Sequence, residues 1–102
     1  MDKDTILEFI RELKNNKKVK VFKKIGLFGS FTKGNEDIFS DIDIAVQVDK
    51  KYLKDHDVWD YFDAINTIKN LIWKKFGVKS DIFDIESVSP YKKNILRDIV
   101  YV

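Results

Sequence analysis

The sequence predicts an α+β domain in which a small sheet of about three strands packs on helices. The predicted elements follow the order helix, strand, strand, helix, strand, helix, and 102 residues with 44% hydrophobic content suffice for one core and not for two. A third observation is the alternation in residues 41–48, DIDIAVQV, which puts Ile and Val on one face of a strand and Asp41 and Asp43 on the other. We therefore expect residues 1–102 to form a single domain.

The first third of the chain predicts a helix and a strand. Apolar residues recur at three- and four-residue spacing behind Asp4, which predicts an amphipathic helix over residues 4–17 with Asp4 as its N-cap. Residues 22–28, FKKIGLF, predict a strand. A short helical turn to about Lys33 and a polar loop over residues 34–40 then lead into the strand that carries the aspartates.

A long helix is predicted over residues 58–76, with Asp57 as its cap and Gly77 as its stop. The predicted core stripe of this helix consists of Val58, Phe62, Ile65, Ile68 and Ile72. The helix has more apolar residues than one buried face needs. Trp59 and Trp73 lie nearly on one face, and two interpretations remain open for them: a helix central to the core, or a surface that docks a partner.

The last elements predicted are a strand over residues 79–84, KSDIFD, and a final helix that ends near Val100. Ser89 and Pro90 open that helix as N-cap and first helical residue. The chain contains no repeat, no linker and no low-complexity segment.

Composition excludes several classes of protein. The absence of cysteine removes disulfides and thiolate metal sites, and no apolar run is long enough to cross a membrane, so we expect a cytoplasmic protein. A net charge of +2 argues against direct nucleic-acid binding, which needs a strong basic excess. Six lysines nevertheless fall between Lys14 and Lys24. They form either a solvated surface or a field that attracts a polyphosphate ligand.

A candidate phosphate-binding turn follows the first strand. Gly29 permits close approach of the backbone to a ligand, and Ser30 offers a hydroxyl and an amide at the start of a short helix. Lys33 and Gly34 complete this turn. Residues 35–36, Asn-Glu, stand where a P-loop requires Lys and Ser or Thr, so a P-loop is excluded.

Asp41 and Asp43 are candidate metal ligands because two carboxylates on alternate strand positions present hard oxygen atoms on one face, which suits Mg²⁺ bound together with phosphates. Asp81, in the third predicted strand, is the candidate third ligand and a candidate acceptor of a hydroxyl proton. From spacing alone, Asp81 is equally well read as an exposed residue at the sheet edge.

These residues resemble a known family. Gly29-Ser30, followed ten residues later by Asp41-x-Asp43 and then by an aspartate on a later strand, resembles the minimal nucleotidyltransferases of the DNA polymerase β superfamily. The resemblance runs from about residue 20 to the C-terminus and includes the closing stretch SDIFDIESVSPYKKNILRDIVYV. It is the reason for choosing Asp81 over Asp84 as the third carboxylate.

The resemblance implies a small mixed sheet flanked by helices, similar to the polymerase β palm, and transfer of a nucleoside monophosphate from a triphosphate to a hydroxyl. Ser30 would contact the distal phosphates, Asp41 and Asp43 would bind two Mg²⁺ ions, and Asp81 would complete the second site and activate the nucleophile. Members of this size are similar to antitoxins that silence a HEPN-domain toxin by transferring AMP from ATP to a tyrosine. We expect ATP and such a toxin as partners.

Two residues depart from the family pattern. Lys33 stands where arginine is common, and Ser80 stands where an apolar residue usually precedes the third aspartate. Two alternatives to a protein adenylyltransferase remain: a binding module that docks on its partner without catalysis, and nucleotidyl transfer to RNA or a small molecule.

Overall fold

The computed structural model describes residues 2–33, 41–87 and 92–102, without the side chains of Ser30, Lys33 and Asn94. Its helices are α1 (Lys3–Leu13), α2 (Ser30–Lys33), α3 (Lys50–Lys54), α4 (Trp59–Phe76) and α5 (Lys92–Asp98), with a 3₁₀ turn at Lys17–Val19. Its strands are β1 (Phe22–Phe28), β2 (Ile42–Val48), β3 (Ser80–Asp84) and β4 (Val100–Tyr101). The predicted α+β class is confirmed. The predicted loop over residues 34–40 and the predicted Ser89-Pro90 cap lie outside the described residues.

The four strands form one mixed sheet in the order β3-β2-β1-β4. β1 pairs antiparallel with β2 and with β4, while β2 pairs in parallel with β3. Because β1 and β2 run in opposite directions, the end of β1 lies beside the start of β2, and the parallel pairing brings the start of β3 to the same edge. This edge of the sheet collects Gly29, Asp43 and Asp81.

The core lies between the sheet and the helices α1 and α4. The predicted alternation in β2 is confirmed, since Ile42, Ile44, Val46 and Val48 are all buried. The helices contribute the buried residues Ile6, Ile10 and Leu13 from α1 and Ala64, Ile68 and Ile72 from α4. Burial of this apolar surface is the main contribution to the stability of the fold.

Helix α1 corrects the predicted N-terminus. Its N-cap is Asp2, whose carboxylate accepts a hydrogen bond from the Thr5 amide at 2.8 Å, and the helix ends at Leu13 rather than near residue 17. Asp4 lies instead in the first turn, where a negative charge interacts favourably with the helix dipole.

The predicted cap of α4 is wrong. The N-cap is Val58, and it makes no capping hydrogen bond through its side chain. Asp57 precedes it and accepts a hydrogen bond from the Trp59 amide at 3.0 Å.

Helix α4 confirms the predicted stop and corrects the predicted core stripe. Gly77 has φ +68° and its amide bonds to the Trp73 carbonyl, a left-handed helix end that glycine adopts without strain. Val58 and Phe62 are wrong as core residues, because they are 59% and 49% exposed. Ala64 takes a core place instead.

Two short elements were not predicted. Helix α3 has only five residues, and β4 has only two, which pair with Gly26 and Leu27 of β1. Among the described residues, no helix combines the length and the hydropathy needed to cross a membrane.

Candidate active site

The candidate site lies where β1 ends and β2 and β3 begin. Asp43 is the register partner of Phe28 in β1 and of Asp81 in β3. Strand β2 therefore holds Asp43 between Phe28 and Asp81. Asp41 directly precedes β2 and is exposed, as is Asp81. The structure thus brings the three predicted carboxylates to one edge of the sheet.

The electrostatics of Asp43 reflect this crowding. Its partial burial, and then the negative charges of Asp81 and Asp41, raise the pKa of Asp43 to about 6. Ionising Asp43 therefore costs more free energy in the folded chain than in the unfolded chain. Neighbouring carboxylates with such a shift are typical of functional sites, where a cation or a proton compensates the charge.

Gly29 is shaped to fit Asp43. Its φ is +81°, a conformation that residues with a side chain rarely adopt. A Cβ at this position would overlap Oδ2 of Asp43 and lie 3.0 Å from its Cγ. The glycine is therefore required both by the turn and by the carboxylate packed against it.

The rest of the predicted phosphate turn is described in part. Ser30 is the first residue of α2 and Lys33 is the last, and the Thr32 amide and hydroxyl both bond to the Gly29 carbonyl, at 3.1 and 2.8 Å. The Ser30 and Lys33 side chains and the whole of Gly34 lie outside the described residues. Their proposed contacts to phosphate remain predictions.

The choice of Asp81 over Asp84 agrees with the environment of each residue. Asp84 lies at the far end of β3, where it accepts hydrogen bonds from the Tyr61 hydroxyl at 2.9 Å and from the Glu86 amide at 2.8 Å. Burial and the bond to Asp84 raise the pKa of Tyr61 to about 12. Asp84 thus has a structural role, whereas Asp81 pairs with Asp43 across the strands and its charge acts on that carboxylate.

The donor set fits Mg²⁺. Within residues 2–33, 41–87 and 92–102, no three His, Asp or Glu side chains are already arranged so that they could bind one metal ion. The carboxylates are nevertheless near enough for Asp81 and Asp41 to raise the pKa of Asp43. Clustered carboxylate oxygens are the donors that Mg²⁺ takes together with phosphates and waters, and a bound cation would relieve the repulsion among them.

Sequence reasoning missed an open cleft beside these carboxylates. The cleft has a volume of about 350 Å³ and lies between α4 and the start of β3. It is lined by Asp41, Lys69, Asn70, Trp73, Lys79, Ser80 and Asp81. The positions 69, 70 and 73 share a helix face, but only the tertiary packing of α4 beside β3 brings that face to Asp81.

Comparisons with known proteins agree with this fold. The family model described as "Polymerase beta, Nucleotidyltransferase" matches residues 8–101. A Methanocaldococcus jannaschii protein named "Putative protein adenylyltransferase" is 32% identical over 102 residues, with 98% of this chain and 93% of that protein covered. A second protein of that name from the same organism is 31% identical over 106 residues, covering 95% of this chain and 94% of its own length.

Solved structures give the same result. A structure described as a "putative minimal nucleotidyltransferase" superposes with a TM-score of 0.70 at 20% identity, covering 98% of this chain and 95% of that one. A crystal structure of a toxin-antitoxin with AMP-PNP gives a TM-score of 0.60 at 20% identity, covering 99% of this chain and 72% of the other. At these identities the likeness concerns the fold. From the family match and the near-full-length relatives, the chain belongs to the polymerase β family of nucleotidyltransferases, with the fold of a minimal member.

Proposed function

We propose that residues 1–102 form one minimal nucleotidyltransferase domain that transfers AMP from ATP to a hydroxyl of a protein, in the cytoplasm and with Mg²⁺. The observation that carries this proposal is the pairing of Asp43 with Asp81 across β2 and β3. Partial burial, and then the charges of Asp81 and Asp41, raise the pKa of Asp43 to about 6. The near-full-length relatives named as adenylyltransferases support AMP as the transferred group.

The reaction exchanges one phosphorus–oxygen bond for another. The acceptor oxygen attacks the α-phosphorus of ATP, a new P–O bond forms, and the bond between the α-phosphorus and the bridging oxygen of pyrophosphate breaks. The acceptor's proton passes to a carboxylate, for which Asp81 is the proposed base. Gly29 and Ser30 would position the departing pyrophosphate.

Asp41, Asp43 and Asp81 would hold two Mg²⁺ ions, which when bound supply positive charge for the phosphate oxygens and the transition state. Asp43 contributes only when ionised. Its raised pKa means that ionisation costs free energy in the empty site, and a bound cation would offset that cost. The chain's own part is thus to place three carboxylates beside a glycine turn.

The proposed acceptor is a tyrosine of a HEPN-domain toxin, which the chain would silence as an antitoxin. The exposed apolar residues at the start of α4 support a protein partner, because Val58, Trp59 and Phe62 are 59%, 67% and 49% exposed. Trp59 and Phe62 also contact each other, with ring centroids 5.8 Å apart. Such a patch is larger than isolated surface apolar residues and is typical of a docking surface.

The proposed transfer is tested with ATP labelled at either the α- or the γ-phosphate, Mg²⁺ and a HEPN-domain toxin from the same genome. We expect label in the toxin from α-labelled ATP only, and none when the acceptor tyrosine is replaced by phenylalanine. Transfer of the γ-label would indicate a kinase and contradict the proposal. Neutralisation of the toxin by an Asp41→Asn/Asp43→Asn variant, without labelling, would favour the alternative of a binding module that acts through the α4 patch.

A further inference from the structure

The cleft between α4 and β3 contains a polar group that the described structure leaves without a partner. Ser80 is buried to 7% exposure, and its Oγ has no hydrogen-bond partner among the described residues. Buried hydroxyls are nearly always bonded, because leaving one unpaired costs free energy. Ser80 also borders the open cleft, so a bound group that reaches its shielded Oγ would supply the missing bond.

The cleft also carries two positive charges, beside the carboxylates of Asp41 and Asp81. Lys69 and Lys79 line it, both are exposed, and neither forms an ion pair within the described part of the chain. Trp73 lines the same space and is 56% exposed, which leaves an indole surface available to an aromatic ring. Asn70 adds an amide that can both donate and accept.

The position of the cleft relative to the carboxylates distinguishes it from the phosphate turn. Across the sheet edge the order is Gly29 after β1, then Asp43 on β2, then Asp81 on β3. The cleft borders Asp41 and Asp81, and its lining does not include Gly29. The carboxylates therefore separate the glycine turn from the cleft.

In-line transfer requires the attacking oxygen and the departing oxygen to lie on opposite sides of the phosphorus. If pyrophosphate leaves on the side of Gly29, the acceptor hydroxyl must approach from the side of Asp81. That side is the cleft.

We propose that the cleft lined by Lys69, Trp73, Lys79 and Ser80 is the acceptor subsite, and that it takes a tyrosine flanked by acidic residues. This inference rests on the proposed function, since it names the class of acceptor for the same reaction. The phenol ring lies against Trp73, the flanking carboxylates pair with Lys69 and Lys79, and Ser80 bonds to a polar group of the bound segment. The acceptor hydroxyl then lies beside Asp81.

The test uses two synthetic peptides with a central tyrosine, one flanked by glutamates and the other by lysines. Binding is followed by the fluorescence of Trp73 in a Trp59→Phe background, because the chain contains only two tryptophans. We expect the acidic peptide to bind and the basic peptide to bind at least about ten-fold more weakly, with an affinity for the acidic peptide that falls as salt is added.

Variants assign the binding to the cleft. Lys69→Ala/Lys79→Ala is expected to weaken the acidic peptide at least about ten-fold, whereas Lys74→Ala, on the same helix and outside the cleft, leaves it within about two-fold. Ser80→Ala is expected to weaken the peptide by a few-fold without lowering the melting temperature, because it removes an unpaired hydroxyl.

The peptide titration contains no nucleotide, so it is independent of the proposed transfer. Equal binding of the two peptides, or an unchanged affinity in Lys69→Ala/Lys79→Ala, would overturn the acceptor subsite. So would a loss of Mg²⁺-ATP affinity in that double variant, because the cleft would then hold the nucleotide. Binding of the acidic peptide by a chain that fails to bind ATP would refute the adenylyltransferase and with it the acceptor role of the cleft, which would then be a peptide-binding cleft only.

Discussion

Replacing Asp43 by asparagine is expected to reduce AMP transfer by at least about 10³-fold, because a neutral amide cannot supply the charge that the phosphate and its cation require. Asparagine has nearly the same size, so the packing beside Gly29 persists. The matched control is Asp55→Asn, an exposed carboxylate beyond the other end of β2, which should transfer at the wild-type rate. Transfer is measured as incorporation of α-label from ATP.

The same variant is expected to be more stable than the wild type at neutral pH. The pKa of Asp43 is raised from 3.8 to about 6 in the folded chain, so the folded state binds a proton more tightly than the unfolded state. The stability of the wild type therefore falls as the pH rises from about 4 to about 6, and this loss persists at pH 7. Because Asp43 is half-exposed, solvent screening reduces the effect to on the order of 1 kcal/mol.

Melting curves of both proteins between pH 4 and pH 7 check this second effect. We expect Asp43→Asn to melt about 5 °C above the wild type at pH 7 and at a similar temperature at pH 4. A variant that is less stable at pH 7, or one that retains transfer, would contradict the assignment of Asp43. A variant that is more stable than the wild type but inactive is expected where the fold holds like charges close together for function.

Gly29→Ala is expected to lower Mg²⁺-ATP affinity at least about ten-fold and to slow transfer further. Two causes act together. The backbone at φ +81° costs about 1–2 kcal/mol for a residue with a side chain, and the new Cβ displaces the carboxylate of Asp43.

Gly77→Ala separates these causes. Gly77 also has a positive φ, +68°, but a Cβ there would meet nothing within 4 Å. This control should lose about 1 kcal/mol of stability and keep full ATP affinity. If Gly29→Ala bound ATP as well as Gly77→Ala does, Gly29 would be only a turn residue.

The sequence predicted the elements of the site because each depends on local patterns. The alternation of apolar residues in β2 is enough to place Asp41 and Asp43 on one face of that strand. Gly29 directly follows β1, which the sequence also predicts. The pairing of Asp81 with Asp43 needed the resemblance to a family, since spacing alone left Asp81 as a possible edge residue. The parallel register of β2 and β3 now gives that pairing a geometric basis.

The errors arose where several residues satisfied one pattern. Asp2 and Asp4 are both suitable helix caps, and only the structure shows that Asp2 bonds to the Thr5 amide. Phe62 and Ala64 both fit a helical stripe, and tertiary packing selected the small residue for the core. β4 has only two residues, too few to show the alternating pattern by which a strand is predicted from sequence. The cleft at Ser80 joins two elements distant in the chain, which no local pattern could reveal.

A calorimetric titration of ATP into the purified protein, with and without Mg²⁺, tests whether Asp41 and Asp43 form a nucleotide site. The Asp41→Asn/Asp43→Asn variant is titrated in parallel. We expect binding only when both Mg²⁺ and the two aspartates are present, because the carboxylates and the phosphates repel each other without the cation. Binding of equal strength in the absence of Mg²⁺, or in the double variant, would contradict a nucleotide site built on Asp41 and Asp43.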